Sequence, residues 1–295
     1  MIHEIVPLQK ITSAFLTAHE INLYVYRLDL NHASISGNKL YKLHYNIDAA
    51  KKENKKTILT FGGAFSNHIA ASAAAGKEYG LKTIGIIRGE ECQKLNPTLR
   101  FAKEQGMELH YVSRMLYKNK NELNEYISNK FGEQNYYLIP EGGSNQLGIE
   151  GCKEITKNIP INFDSICCAC GTGATFTGIL LSIKTNQKAI GFQVLKAENY
   201  IKNEVSTWLN QFSSAQKNWE INDVYHFGGY AKLKTELLNF IQVFEKENDV
   251  PLDYIYTGKM MFGIYDLIKK GAFKKGHTII AVHTGGLQGN LGFEN

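Results

Sequence analysis

The sequence predicts an α/β protein built on open, twisted, mostly parallel sheets with helices on both faces. Three observations carry this. Short apolar runs alternate with longer amphipathic runs over most of the 295 residues, the pattern of strand–helix–strand units whose helices cover a parallel sheet. One run, Ser165-Ile-Cys-Cys-Ala-Cys170, is apolar without alternation, as a strand buried on both faces should be. Four strand-like runs end in glycine-rich turns, at Gly62-Gly63, Gly142-Gly143, Gly171-Thr172-Gly173 and Gly285-Gly286. Ligands in such folds bind outside the carboxyl ends of strands, so these turns are where a site is expected.

The chain starts irregularly, and Ile21–Leu28 alternates as a strand. Ser36-Gly37-Asn38-Lys39 is a turn into a helix with Leu43, Ile47 and Ala50 on one face, running to about Glu53. Thr57–Phe61 is a strand that enters Gly62-Gly63-Ala64-Phe65-Ser66-Asn67-His68 and an alanine-rich helix to about Tyr79. Lys82–Ile87 and Glu108–Val112 are strands, followed by helices at Pro97–Gln105 and Asn119–Lys130. Tyr136–Ile139 is a strand ending in Pro140-Glu141-Gly142-Gly143. A helix near Gly148–Lys157 precedes the Ser165–Cys170 strand, the Gly171–Thr175 loop and a helix from about Phe176 to Ile183. Lys188–Gln193 is a strand, Ser206–Phe212 and Leu233–Glu247 are helical, and Tyr225–Tyr230 is a loop. Tyr256-Thr257-Gly258-Lys259 opens a helix to about Lys270, and Thr278–Val282 is the last strand, turning at His283-Thr284-Gly285-Gly286. No low-complexity tract, linker or repeat interrupts this order.

Composition narrows the class. With 43% hydrophobic and 21% charged residues the chain is ordinary globular protein. The net charge of +5 is mild, and the Lys51, Lys52, Lys55, Lys56 cluster has no interleaved aromatics to stack bases, so no nucleic-acid partner is expected. Five cysteines without framework spacing point to a reducing compartment. No apolar run is long enough for a membrane, and the start lacks a basic segment followed by an apolar one, so the expectation is cytoplasmic.

The chemistry-bearing candidates cluster at the turns. Lys39 and Lys42 lie one helical turn apart; either amine could form a Schiff base with a carbonyl where burial favours its neutral form, and both also fit solvated surface lysines. Gly171–Thr175 suits a phosphate, because glycines admit close backbone approach and Thr172 and Thr175 add hydroxyl donors. A plain strand-to-helix turn is the other reading. Phe176 breaks a dinucleotide glycine pattern, and Ile179–Ala197 has no acid, so a single phosphate fits better than a dinucleotide. Cys167, Cys168 and Cys170 alternate across a strand and cannot all face one metal, so no metal site is expected. Ser66 and Asn67 also fit helix caps, and His68 and His283 read as scaffold.

Together the lysine turn, the Gly-Gly-x-x-Ser-Asn-His turn and the Gly-Thr-Gly loop resemble the pyridoxal-phosphate enzymes of the tryptophan-synthase-β fold type. Within that group the chain resembles the 1-aminocyclopropane-1-carboxylate deaminase / D-cysteine desulfhydrase family, from about Ser36 to Gly286. The family's lysine pattern Gly-Asn-Lys-x-Arg-Lys-Leu reads here Gly37-Asn38-Lys39-Leu40-Tyr41-Lys42-Leu43. The resemblance implies that Lys39 holds pyridoxal 5′-phosphate covalently and that Lys42 contacts its phosphate with Thr172, Gly173, Ala174 and Thr175. Asn67 would bond the ring's phenolic oxygen, and Ser66 would lie beside the substrate. Tyr230 matches the Gly-Tyr of the family's flexible loop and Tyr256 its Tyr-x-Gly-Lys motif; Tyr256 would stack on or near the ring, and either could take part in proton transfer. The implied architecture is two open twisted sheets with the cofactor in the interdomain cleft. A small α/β domain, 45–150, is inserted into a larger one of 1–44 and 151–295. A small amino-acid substrate and a homodimer are implied as well.

Departures bear on the substrate. Tyr41 replaces Arg, Phe65 stands where the family usually has Gln and Ala70 where Arg is common, at positions expected on the substrate side. In the deaminase branch the motifs read Tyr-Glu-Gly-Lys and His-Leu-Gly-Gly, with the Glu facing the pyridine nitrogen. Here Thr257 and Thr284 occupy the diagnostic positions. A carboxylate keeps a ring nitrogen protonated and a neutral hydroxyl does so much less, so the ring is a weaker electron sink. The expectation is therefore β-elimination, with D-cysteine giving pyruvate, ammonia and sulfide. A deaminase, a synthase or racemase on the same fold, and a cofactor-binding protein without turnover are the alternatives.

Overall fold

The computed structural model describes residues 6–91 and 93–293, so Cys92 lies outside the described residues. Strands β1 (Leu8–Ile11) and β2 (Asn22–Tyr26) come first. One stretch of chain then gives β3 (Thr57–Gly63), β4 (Lys82–Arg88), β5 (Met107–Val112) and β6 (Tyr137–Ile139). The remainder gives β7 (Ser165–Cys170), β8 (Lys188–Gln193), β9 (Trp219–Asn222) and β10 (Thr278–Val282). They form a six-stranded sheet, β1-β2-β10-β7-β8-β9, and a four-stranded sheet, β5-β4-β3-β6. All pairs are parallel except the antiparallel β1–β2 edge.

The helices are α1 (Ala14–Ala18), α2 (Asn38–Lys52), α3 (Asn67–Tyr79), α4 (Pro97–Glu104), α5 (Arg114–Lys118), α6 (Lys120–Phe131), α7 (Gln146–Cys152), α8 (Ala174–Leu180), α9 (Tyr200–Gln211), α10 (Thr235–Asn248) and α11 (Thr257–Lys269). None is long and apolar enough to cross a membrane. Apolar side chains of β7 separate by parity: Cys168 and Cys170 enter one core with Ile47 and Phe176, while Cys167 and Ala169 enter the other with Phe192 and Ile264. That is the period-2 geometry of a strand covered on both faces. The four described cysteines are free and buried.

The domain limits proposed from the sequence both fall inside helices, 44/45 in α2 and 150/151 in α7. These helices pack together closely because Gly151 has no side chain; a Cβ there would sit 2.0 Å from the Tyr41 carbonyl oxygen. The chain thus passes between the sheets through a packed helix pair.

Several elements differ from expectation. Strands β1 and β9 are short and half-buried edges, so neither carries a strong apolar pattern. Helices α1 and α5 have five residues each, too few to show a period. Helix α9 begins at Tyr200, not Ser206, and buries Ile201, Val205 and Leu209 at four-residue spacing. Helix α7 ends at Cys152 and continues to Thr156 as a tighter 3₁₀ turn.

Candidate active site

A cavity of about 590 Å³ lies between the sheets at the carboxyl ends of β3, β4, β7 and β10. Of the residues singled out from the sequence, Lys39, Lys42, Ser66, Asn67, Thr172, Gly173, Thr175, Tyr230, Tyr256 and Thr284 line it. Ala174 and Thr257 lie just behind, both fully buried. Tyr41 and Ala70 do not reach the cavity, which corrects their expected place on the substrate side. Lys39 and Lys42 share one face of α2, so Tyr41 between them points into the core. Phe65 does line the cavity, and it packs against Gly292 at the chain end.

The lysine turn is fixed from behind. Gly37 has φ 77°, and a Cβ on it would meet the Thr284 carbonyl oxygen at 2.1 Å. The buried Asn31 brackets its peptide, accepting from Gly37 N at 2.9 Å and donating to Gly37 O at 3.1 Å. Lys39 is therefore the second residue of α2 and opens into the cleft. Its Nζ donates to Asn38 Oδ1 at 2.8 Å, while Asn38 Nδ2 donates to Thr175 Oγ1 at 2.7 Å. Asn38 so couples the lysine to the Gly171–Thr175 loop. Burial, and next the Lys42 ammonium, bring the Lys39 amine down to about 7.

Lys42 is buried, and its Nζ reaches Gly142 O at 2.9 Å and Thr172 Oγ1 at 3.5 Å. Among the described residues no carboxylate pairs with it. A buried ammonium held only by neutral oxygens, beside Thr172, Thr175 and the side-chain-free Gly171 and Gly173, is a donor set suited to a dianionic phosphate. Above Gly171 lies Tyr256, whose ring would be 3.0 Å from a Cβ at that position. This corner fits pyridoxal phosphate, with a buried cation for the phosphate and a neutralised lysine amine for the aldehyde.

Opposite, Ser66 caps α3 by accepting from Ile69 N, as the cap reading has it. Asn67 Oδ1 accepts from Gln288 Nε2 at 2.9 Å, which leaves its Nδ2, beside Gly286, as the donor. His68 bonds the Thr60 hydroxyl at 2.9 Å, and burial keeps it well below its ordinary pKa, hence neutral. Tyr230 and Tyr256 meet edge to face with ring centres 6.2 Å apart, and burial holds the Tyr256 phenol well above its usual value. The Thr257 hydroxyl donates to Asp253 Oδ2 at 2.7 Å, and Asp253 Oδ1 accepts from Ile255 N and Tyr256 N. His283 bonds Pro251 O and accepts from Gly285 N, shaping the turn that presents Thr284.

Asn31 and Gln288 have no motif around them in the sequence. Their partners lie 6 positions away for Asn31 and 221 for Gln288, so only the fold brings out their part. Asp253 bonds the next few residues before α11, a local cap that an acid ahead of a helix could have signalled.

A family profile described as "Pyridoxal-phosphate dependent enzyme" matches residues 4–285. The chain belongs to the pyridoxal-phosphate-dependent enzymes. Within them it is a member of the 1-aminocyclopropane-1-carboxylate deaminase / D-cysteine desulfhydrase family. It is 32% identical to a Pyrococcus abyssi protein named "Putative 1-aminocyclopropane-1-carboxylate deaminase", over 91% of this chain and 86% of that one. It is 30% identical to the mitochondrial "Bifunctional D-cysteine desulfhydrase/1-aminocyclopropane-1-carboxylate deaminase" of Arabidopsis thaliana, over 90% of this chain and 73% of that protein. A crystal structure described as an ACC deaminase homologue superposes with TM-score 0.85 at 28% identity, covering 99% of this chain and 92% of that one. The fold is shared more widely, as with a fungal L-serine ammonia-lyase from Rhizomucor miehei at TM-score 0.69 and 10% identity, covering 96% of this chain and 94% of that one. This family member is accordingly a pyridoxal-phosphate-dependent lyase.

Proposed function

We propose that this lyase carries out β-elimination on a small amino acid, with D-cysteine the favoured substrate. The carrying observation is that hydroxyls stand at both diagnostic positions, with Thr284 on the cavity wall and Thr257 behind it. Pyridoxal phosphate, when bound, supplies an aldehyde for the substrate amine and an electron-withdrawing ring that makes the α-carbon acidic.

The residues would then divide the work. Lys42, Thr172 and Thr175 hold the phosphate, with the backbone at Gly173 and Ala174 closing on it. Asn67, its oxygen engaged by Gln288, donates from Nδ2 toward the ring's phenolic oxygen. Ser66 sits beside the substrate carboxylate. Lys39 would anchor the cofactor and, as a free amine, would hold the α-proton at Nζ. An amine with pKa about 7 is neutral often enough to accept it at working pH. Tyr256 and Tyr230 keep their protons at neutral pH and can hand one to the departing thiolate. The balance is D-cysteine plus water to pyruvate, ammonia and hydrogen sulfide.

A thiol is a good leaving group and the α-hydrogen is labile, so elimination tolerates a weak electron sink. Cyclopropane opening has neither advantage. Ring opening keeps some support from the Asp253 carboxylate, which accepts a hydrogen bond from the Thr257 hydroxyl and polarises it. The relatives' names point the same way. The test is purified enzyme assayed for sulfide and pyruvate from D-cysteine, and for 2-oxobutanoate from 1-aminocyclopropane-1-carboxylate. Efficient 2-oxobutanoate release without sulfide overturns the choice.

A further inference from the structure

We propose that Lys259 is a positioning residue: its buried ammonium holds the 226–231 loop in the conformation that sets Tyr230 against the cavity. The inference rests on the reading of Tyr230 as a group at the reacting substrate.

The loop is strained where it approaches the site. Phe227 and Ala231 each have φ 54°, and Gly228 and Gly229 have φ 99° and 119°. Left-handed backbone at two non-glycine residues is strained and persists only where the surroundings impose it. Lys259, in the first turn of α11, supplies that constraint. Its Nζ donates to His226 O at 3.0 Å and Gly229 O at 2.8 Å. These two carbonyls lie on either side of the strained Phe227-Gly228 pair. The same carbonyls also accept from Gly229 N and Lys232 N, so the ammonium completes a small carbonyl cup. Phe227 anchors the loop a second time, its ring edge-to-face on Phe262 of α11 with centres 5.0 Å apart.

Lys259 is 1% exposed, and among the described residues it has no ion pair in contact. Burial brings its amine down to about 8, and the field of the Asp253 carboxylate partly offsets this. An apolar side chain would sit in α11 without the cost of burying an ammonium. What the ammonium adds is a grip on the loop. Tyr230 needs that grip, since its ring rests edge-on against Tyr256 and is 41% exposed. Where the loop goes, the phenol goes.

The experiment compares the holoenzymes of wild type, Lys259→Met, Tyr230→Phe and the double variant. Turnover is read with D-cysteine or 1-aminocyclopropane-1-carboxylate, whichever the wild type accepts. A second readout needs no substrate: the rate of tryptic cleavage after Lys232 and Lys234, in the segment following the cup. Lys259→Met should lower kcat about 10²-fold, the scale of a group displaced by about 1 Å. KM and the visible absorbance of the bound cofactor should stay near wild type, and loop cleavage should quicken about tenfold or more. In the Tyr230→Phe background the same change should cost little more, because the two act as a unit.

Unchanged cleavage overturns the loop-holding claim. An equal loss in both backgrounds shows that Lys259 acts through something other than Tyr230 and overturns the proposal. Wild-type turnover in Tyr230→Phe overturns the underlying reading of Tyr230, and the cleavage data tell that failure from the first. Should Lys259→Met fail to fold, Gly229→Ala displaces the loop with Lys259 intact. At φ 119° an L side chain is strained, and its Cβ would press on Lys196 at 3.3 Å. It should reproduce the loss and the faster cleavage, and wild-type behaviour there overturns the proposal as well.

Discussion

The neutralised amine of Lys39 makes a prediction that can be worked through. Its environment brings it from 10.5 to about 7, chiefly by burial and then by the Lys42 ammonium. About 9% of the amine is then neutral at pH 6, half at pH 7 and about 91% at pH 8. Only the neutral amine attacks a carbonyl. Cofactor-free protein mixed with pyridoxal phosphate should load about tenfold faster at pH 8 than at pH 6 and level off above. An ordinary lysine would gain about a hundredfold over that interval and keep climbing past pH 9. The assay is stopped-flow absorbance in the visible, corrected for the reagent's own titration with a small-molecule amine and run beside Lys39→Ala. A rate that still rises tenfold per unit beyond pH 9 would refute the argument. Stability gives an independent check. A lysine with a lowered folded pKa binds fewer protons folded than unfolded between pH 7 and 10.5, so its contribution to stability rises with pH across that window. The difference in unfolding free energy between cofactor-free wild type and Lys39→Met should grow above pH 7 and flatten below it.

Other expectations follow from the same geometry. Gly173→Asp forces a carboxylate against Val205 and Glu204 of α9 at a backbone with φ 79°, so the loop must shift; equilibrium binding of pyridoxal phosphate should weaken at least about a hundredfold, and wild-type affinity would remove the loop from the site. Gly37→Ala drives a methyl into the Thr284 carbonyl and should cost about 3 kcal/mol in chemical denaturation, together with much of the cofactor affinity. Gln288→Leu leaves Asn67 free to rotate; thermal unfolding should change by about 1 kcal/mol or less, while cofactor affinity drops several-fold. A Gln288→Leu protein that binds cofactor as wild type does would show that Asn67 needs no orienting partner.

The sequence by itself determined the elements with strong local signals. The apolar runs that became β3, β4, β7, β8 and β10, and the helices α2, α3, α10 and α11, are long or periodic enough that near neighbours in the chain decide them. The same holds for the glycine turns, where positive φ at Gly37, Gly173 and Gly285 is a property of the residue itself. Their order along the chain sufficed to suggest the family. Tertiary structure decided what depends on distant partners. Edge strands β1 and β9 exist because β2 and β8 are there to pair with them. Tyr41 faces the core and not the substrate because the side of α2 bearing Lys39 and Lys42 is the one turned to the cleft. Asn31 and Gln288 look like ordinary polar residues in sequence, and Lys259 shows there as part of a motif but not as the partner of the 226–231 loop. Each acquires its part only when folding brings a buried donor or acceptor within hydrogen-bond reach, and in water-poor surroundings such a group must be satisfied by whatever residue the fold places beside it.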